Sequence, residues 1–477
     1  VVLNMPQLLH TRRGLLTWIG LFWAVLYLST QISPPFASPD ETSHLYRAAM
    51  IAEGQWLLEP QPPSDAVPTA GSGGWVDEYW LLAGNALTGW IAPQQKIDQR
   101  TPASLHEVRQ LGEKLGWKHE LAFAPASGTG YYNPLIYLPQ ATALWIGKHT
   151  GLSVIRSHDL ARALTSLGCL MLVVLALRLA TFPPVALGLL ATPMALFQWF
   201  SPTIDGLTMG LTLYALALFF AEFSREGRSL GRMALLGVCV VLIITTRVHL
   251  APLLGLPLYL AWKKRALSGW VVFGCALAAG SLWNAFALHS TIDTRIPRSH
   301  STSEIIVLYL QHPDEFARTI WRTVTHSTLQ LFYVRSLVGT LGWLDAPISD
   351  TQLVLVYAAL GLLLLLSCRQ FVAAKYPAPG VRLLLLAIAL SSLLITFAAL
   401  AATWNDYPAP IITGLQGRYF ILPLFIAACA LWQGPRNAAV PSPVTGSQKQ
   451  PYRSAALWLL LLGGSAAITG MTLAAKY

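Results

Sequence analysis

Charge is scarce in this chain. Asp, Glu, Lys and Arg make up 11% of its 477 residues against 54% hydrophobic, and a mean hydropathy of +0.51 excludes a soluble globule. Acidic residues are the scarcer sign, 22 in all. None falls in the middle of an apolar run, which argues against a proton-coupled transporter, since such machines keep ionisable groups along a midplane path. Cysteine is rare too: Cys169, Cys239, Cys275, Cys368 and Cys429 lie in or at the ends of apolar runs. The long polar stretches have none, so neither a disulfide framework nor a thiol-ligated metal is available there. What is plentiful is apolar sequence accompanied by Trp (17) and Tyr (16), the composition of a polytopic protein anchored at membrane interfaces. A membrane protein needs no nucleic acid to explain its net charge of +10, and none is expected as a partner.

A spanning helix needs about 20 mostly apolar residues. Runs of that kind cover 15–32, 160–181, 183–200, 206–223, 230–246, 249–262, 268–288, 351–368, 381–402, 417–433 and 455–474, which gives 11 spans. One further run, Pro134 to Lys148, is short, and the positive-inside rule decides its status. If it does not cross, Arg12/Arg13, Arg178, the Arg225/Arg228/Arg232 loop, Lys263/Lys264/Arg265, Arg369/Lys375/Arg382 and Arg436/Lys449/Arg453 all share the cytoplasmic side. It is therefore read as a helix on the outer surface. Only Glu222 and Glu226 of the 22 acidic residues then face the cytoplasm, so any chemistry by carboxylates is outside.

The expected fold is an all-α polytopic membrane protein. Residues 1–288 form a transmembrane module with a large first outer loop, 33–159, carrying the surface helix 134–148. A second outer loop follows over 289–350, with helices around 303–311 and 313–331. The C-terminal spans occupy 351–477, with a cytoplasmic linker at 434–454. Within the first loop, Pro60 to Gly74 reads as a mobile Pro/Gly/Ser stretch and Pro102 to Leu115 as a short amphipathic helix. A structureless loop of that size is uncommon unless functional.

The first motif is PDETSH, which puts Asp40 and Glu41 where the chain leaves the first span. Taken alone the pair is equally a helix start, with Ser38 as N-cap and acids in the first turn. A carboxylate beside apolar lipid also has its basicity raised, which suits a general base. NPLIYLPQ sets Asn133 before a proline that can begin the surface helix, and the preceding Tyr131 and Tyr132 read as interfacial anchors. QWFSPTIDG is a turn with Asp205 at its tip. A lone Asp there is usually a turn former, but this one shares a membrane face with Asp40. TTRVHL places Arg247 and His249 on the side that disfavours cations. They are either snorkelling groups or partners for a lipid phosphate, which Arg grips bidentately. GTLGWLDAP contributes Trp343 and Asp345, and LQGRYFILP contributes Gln416, Arg418 and Tyr419 at the same face.

In combination, the carboxylate pair after the first span, the Asn/Pro surface helix, Arg162 opening the next span and Asp205 between later spans resemble the GT-C superfamily of membrane glycosyltransferases. The motifs, in order from Ser38 to Pro423, resemble a bacterial membrane-protein family of unknown function grouped with it. The resemblance implies a GT-C-like bundle of about 11 transmembrane helices at the bacterial inner membrane, its active site facing the periplasm or exterior. The implied reaction moves a sugar from a polyprenyl-phosphate carrier to a glycan or lipid acceptor, with inversion. By analogy Asp40 deprotonates the acceptor, Glu41 orients it or a metal, and Asp205 is a second catalytic acid. Arg247 and Arg418 neutralise the departing phosphate. His44, Arg47, Asn133, Tyr137, His249, Trp343, Asp345, Gln416 and Tyr419 are further substrate-contacting candidates. The resemblance assigns no particular cofactor and leaves a divalent metal open. A divalent metal is available only if Asp40, Glu41, His44 and Asp205 converge. Two other classes use similar substrates: a lipid-linked glycan flippase, which leaves Asp40 and Glu41 unemployed, and an O-antigen ligase or polymerase, which carries its large outer loop late rather than first.

Overall fold

The computed structural model describes residues 20, 24, 32–61, 71–91, 105–227, 229–265, 267–293, 298–374, 376, 378–435 and 450–476. Most of the expected first span (15–32), the centre of the Pro/Gly/Ser stretch (62–70) and most of the linker (436–449) lie outside the described residues.

The first outer loop folds as a small mixed unit. Helix α1 (Glu41–Ala52) is followed by β1 (Glu59–Pro60), β2 (Ser72–Asp77), α2 (Glu78–Ile91), α3 (Leu105–Lys114) and β3 (Leu121–Pro125). The strands form a small antiparallel sheet in the order β1-β2-β3, set in a chain that is otherwise helical as expected of an all-α membrane protein. Residues 72–74, read as mobile, are buried strand instead: Gly73 and Gly74 pair with Pro125 and Ala124. A Cβ on Gly73 would lie 2.2 Å from the Ala124 carbonyl oxygen, so the glycines that signalled looseness are what lets the strands approach. The expected amphipathic helix is α3.

A 3-10 turn (Pro134–Tyr137) leads into α4 (Leu138–His149), with Asn133 as cap, its side chain accepting from the Leu135 N–H at 3.0 Å. Helix α4 measures about 18 Å at 1.5 Å per residue, short of the ~30 Å hydrocarbon core. It packs against α5 (Val154–Leu179). Gly147 makes that approach possible, since a Cβ there would meet Ser157 Oγ at 2.2 Å.

The bundle continues through α6 (Pro184–Leu189), α7 (Pro193–Trp199), α8 (Ile204–Phe223), α9 (Leu230–Ile244), a 3-10 segment (Val248–Leu254), α10 (Gly255–Lys264) and α11 (Leu267–Ser290). The second outer loop holds α12 (Thr302–Gln311), α13 (Pro313–Thr325), α14 (Ser327–Val338) and a hairpin of β4 (Thr340–Leu341) and β5 (Ala346–Pro347). The expected helix to Leu331 is thus divided, with His326 extended between α13 and α14. Then come α15 (Asp350–Ala374), α16 (Pro379–Trp404), a 3-10 turn (Gly417–Phe420), α17 (Ile421–Ala428) and α18 (Gln450–Lys476).

Among the described residues, 6 helices are long and apolar enough to cross a membrane: α5, α8, α11, α15, α16 and the Ala456–Lys476 part of α18. Other expected spans are interrupted. Run 183–200 breaks between α6 and α7, where Thr192 caps α7 through the Ala195 N–H and Pro193 follows. Run 249–262 begins as a 3-10 segment containing Pro252. Run 417–433 is a short helix between two 3-10 turns, and α9 has 15 residues. Prolines and caps ended helices that hydropathy alone would prolong. Helix α8 is the hub. Its apolar window is 89% buried, as expected of a helix that is hydrophobic all round.

Candidate functional site at the ends of α1 and α8

Asp40 is the N-cap of α1, but its side chain caps nothing and its backbone is left-handed, φ 62°. For a non-glycine residue that conformation costs about 1–2 kcal/mol, and such strain persists only where the surroundings impose it. With the cap unmade, the carboxylate turns outward, half-exposed, and its Oδ2 accepts from Arg418 Nη2 at 3.1 Å.

Glu41, one residue on, faces the interior. It is 1% exposed; its Oε1 accepts from the Phe36 N–H at 3.1 Å and from His158 Nε2 at 2.7 Å, and its Oε2 from the Ser38 N–H at 2.8 Å. Burial pushes this carboxyl up, but the bond to His158, the charges of His158 and Arg162 and the Ser38 N–H outweigh it, and the net shift is downward. The structure therefore separates the pair expected to act together: Asp40 meets Arg418 and Glu41 is tied to His158 and the turn beneath.

Asp205 sits in the first turn of α8. Its Oδ1 is gripped by Arg247 Nη2, and its Oδ2 accepts from Arg418 Nη1 at 3.3 Å. Arg247 also reaches the Tyr132 hydroxyl at 3.5 Å and lies 5.2 Å from that ring's centroid. Arg418 completes its set by donating from Nε to Gln416 Oε1 at 2.6 Å, with its guanidinium 5.3 Å from the Tyr419 ring centroid. Four groups of opposite sign thus alternate in a chain from Asp40 through Arg418 and Asp205 to Arg247. Asp205, Arg247 and Arg418, together with Gln198, His249 and Tyr419, line a small cleft of about 30 Å³, and Asp40 lies beyond it at the Arg418 end of the chain. Gly417 is what allows Arg418 this position. Its N–H donates to Ser336 Oγ at 2.8 Å, and a Cβ would lie 2.2 Å from the Tyr333 carbonyl oxygen.

His44 is buried one turn along α1, with Nδ1 2.7 Å from the Tyr137 hydroxyl. Burial holds its pKa down at about 4; the Asp40 and Asp205 charges oppose this and those of Arg247 and Arg418 reinforce it. The unfolded chain, near 6.5, takes up the proton first as pH falls. Stability from a neutral His44 is therefore complete above about pH 6.5 and lost toward pH 4, by up to about 3 kcal/mol. The expected result is a thermal midpoint in detergent that drops between pH 7 and pH 4.5, with His44→Gln showing a shallower drop. Equal slopes would reject this account.

Of the other expected residues, Arg47 is buried and donates from Nη2 to the Trp56 carbonyl. Asn133 is spent on its cap. Trp343 Nε1 donates to the Phe36 carbonyl at 3.0 Å, and Asp345 Oδ2 lies 2.9 Å from Lys476 Nζ. These side chains support the site's surroundings rather than the cleft. Gln198 and His158 carry no signal in the sequence that marks them for the site. Tyr132, read as an anchor, partners Arg247, and only its place beside Asn133 hinted at that.

Among the described residues no group of three or more His, Cys, Asp and Glu is arranged to hold a metal ion. Asp40 and Asp205 both face Arg418, whose guanidinium bridges them, and Glu41 points elsewhere. Asp40, Glu41, His44 and Asp205 thus do not converge and do not fit a divalent ion.

No curated protein and no solved structure matches the chain. A family model described as "Predicted membrane protein (DUF2142)" matches residues 21–427, which include Asp40, Asp205, Arg247 and Arg418. By that match, the chain belongs to the DUF2142 family of membrane proteins.

Proposed function

We propose that the protein is an inverting glycosyltransferase of GT-C type, with 11 crossings, in a bacterial cytoplasmic membrane. It takes a sugar from a polyprenyl-phosphate carrier at the outer face and passes it to a glycan or lipid acceptor. The observation that supports this reading is the Asp40–Arg418–Asp205–Arg247 chain, gathered from four separate stretches into one ion-paired cluster.

The chemistry needs what these groups supply. The acceptor oxygen attacks the anomeric carbon and gives its proton to the Asp40 carboxylate. The bond from that carbon to the phosphate oxygen breaks, and the phosphate leaves with the electron pair. Its added charge is taken up by Arg247 and Arg418, donors fixed before the reaction and partly shielded from water, where such stabilisation counts most. Asp205 holds the two guanidinium groups together against their mutual repulsion. Arg418 Nη2 cannot serve Asp40 and an incoming phosphate equally well, so a bound donor competes with Asp40 and releases it to act as base. A flippase reading uses the arginines but gives the outward, left-handed Asp40 no task.

The test is transfer itself. Vesicles containing the protein and a labelled polyprenyl-phosphate sugar are expected to yield a glycosylated acceptor with inverted anomeric configuration. Translocation of the labelled lipid without any transfer would reject the reading in favour of a flippase.

A further inference from the structure

We propose that His158 is a positioning residue for Asp40, acting through Glu41. The residues before α1 form a tight turn in which both Phe36 and Asp40 have positive φ, 64° and 62°. Two non-glycine residues so close together in the left-handed region need external restraint. The restraint comes from below. Glu41 accepts both the Phe36 and Ser38 N–H groups, and His158 donates to the same Glu41 oxygen that accepts from Phe36. The His158 ring also packs against Phe36, centroids 5.2 Å apart. Arg162, one turn along α5, donates to the Ser33 and Pro34 carbonyls at 3.2 Å each, and Trp343 donates to the Phe36 carbonyl.

His158 is fully buried and none of its contacts reaches the cleft, so it touches no substrate. Its role is to keep Glu41 ionised and oriented as an acceptor for the turn. The turn in turn holds Asp40 outward against Arg418. Without that hold, Asp40 is free to relax to an ordinary helix-capping conformation and withdraw from the guanidinium.

This inference rests on the proposed competition between Asp40 and an anionic donor, so its test has one readout independent of that competition. The probe is farnesyl phosphate, added to the full-length protein in detergent, alongside amide hydrogen exchange over residues 33–41. His158→Phe is expected to exchange at least tenfold faster at Phe36 and Ser38. It is also expected to bind farnesyl phosphate three- to tenfold more tightly, because Arg418 is no longer shared. His158→Gln, whose Nε2 can replace the lost N–H, should resemble the native protein in both. If His158→Phe does not fold, Trp343→Phe removes one bond to the same turn and should shift both readouts in the same direction by less. Damage that merely loosens the protein would weaken binding, not tighten it. Unchanged exchange in His158→Phe overturns the clamp, and faster exchange with unchanged or weaker binding overturns the positioning of Asp40. Should the control Asp40→Asn fail to tighten binding, the competition in the proposed function falls, and exchange alone decides the clamp.

Discussion

Asp40→Asn is expected to abolish sugar transfer while improving the protein's grip on a polyprenyl phosphate. The two effects come from one carboxylate with two uses. An amide cannot accept the acceptor's proton, and removal of a general base costs on the order of 10²–10⁴ in rate. The same amide is a poor partner for Arg418 Nη2, now 3.1 Å from Asp40 Oδ2, so an arriving phosphate meets a guanidinium with a vacant N–H. The Asp40 side chain is 49% exposed, and water already screens the pair. The gain is therefore modest, about three- to tenfold in Kd, as for exposed ion pairs. Both quantities are measurable on one detergent preparation. Transfer that survives at more than a tenth of the native rate would remove Asp40 from the role of base.

Arg418→Ala should produce the second large effect, a fall of about 10²–10³ in kcat/KM for the lipid-linked donor, the loss typical of one preorganised charge-stabilising donor. Most of the fall should appear in kcat, because the phosphate gains its charge as the bond breaks. Lysine should rescue little. Arg418 uses Nε, Nη1 and Nη2 on three separate partners, Gln416, Asp205 and Asp40, and a single ammonium cannot span them. Arg247→Ala should act in the same direction. Donor kinetics unchanged in both variants, with expression intact, would refute the phosphate role.

Much of the cleft could be anticipated from residue order and the sidedness of Lys and Arg. Those features put Asp40, Asp205, Arg247 and Arg418 on one face, and the geometry brings them within hydrogen-bonding distance. What they could not reveal was direction. Asp40 and Glu41 are neighbours, yet a left-handed residue between turn and helix sends one side chain to Arg418 and the other to His158. No local pattern announces a buried histidine 117 residues away. The same limit explains Asp345, whose partner Lys476 is on the last helix. It also explains the short helices, because a hydropathy window averages over the prolines and caps that end them. The sheet was hidden in Gly73 and Gly74, since a glycine pair that permits close pairing looks, in sequence alone, like one that permits disorder.

The Asp40–Arg418 bond closes a separation of 378 residues, and that distance has a meaning in time. At roughly 5–20 residues per second of synthesis, about 20–75 s pass between the emergence of Asp40 and that of the arginine that partners it. Asp205 likewise precedes Arg247 and Arg418. Each acid is therefore made before its counter-ion: Asp205 waits 42 residues for Arg247, whereas Asp40 waits for the late 3-10 turn that carries Arg418. A chain that has not yet inserted Arg418 leaves Asp40 without its guanidinium and Asp205 with Arg247 alone. The chain of alternating charge therefore comes into being only with the last of its parts, and under the proposed function so does the complete phosphate site.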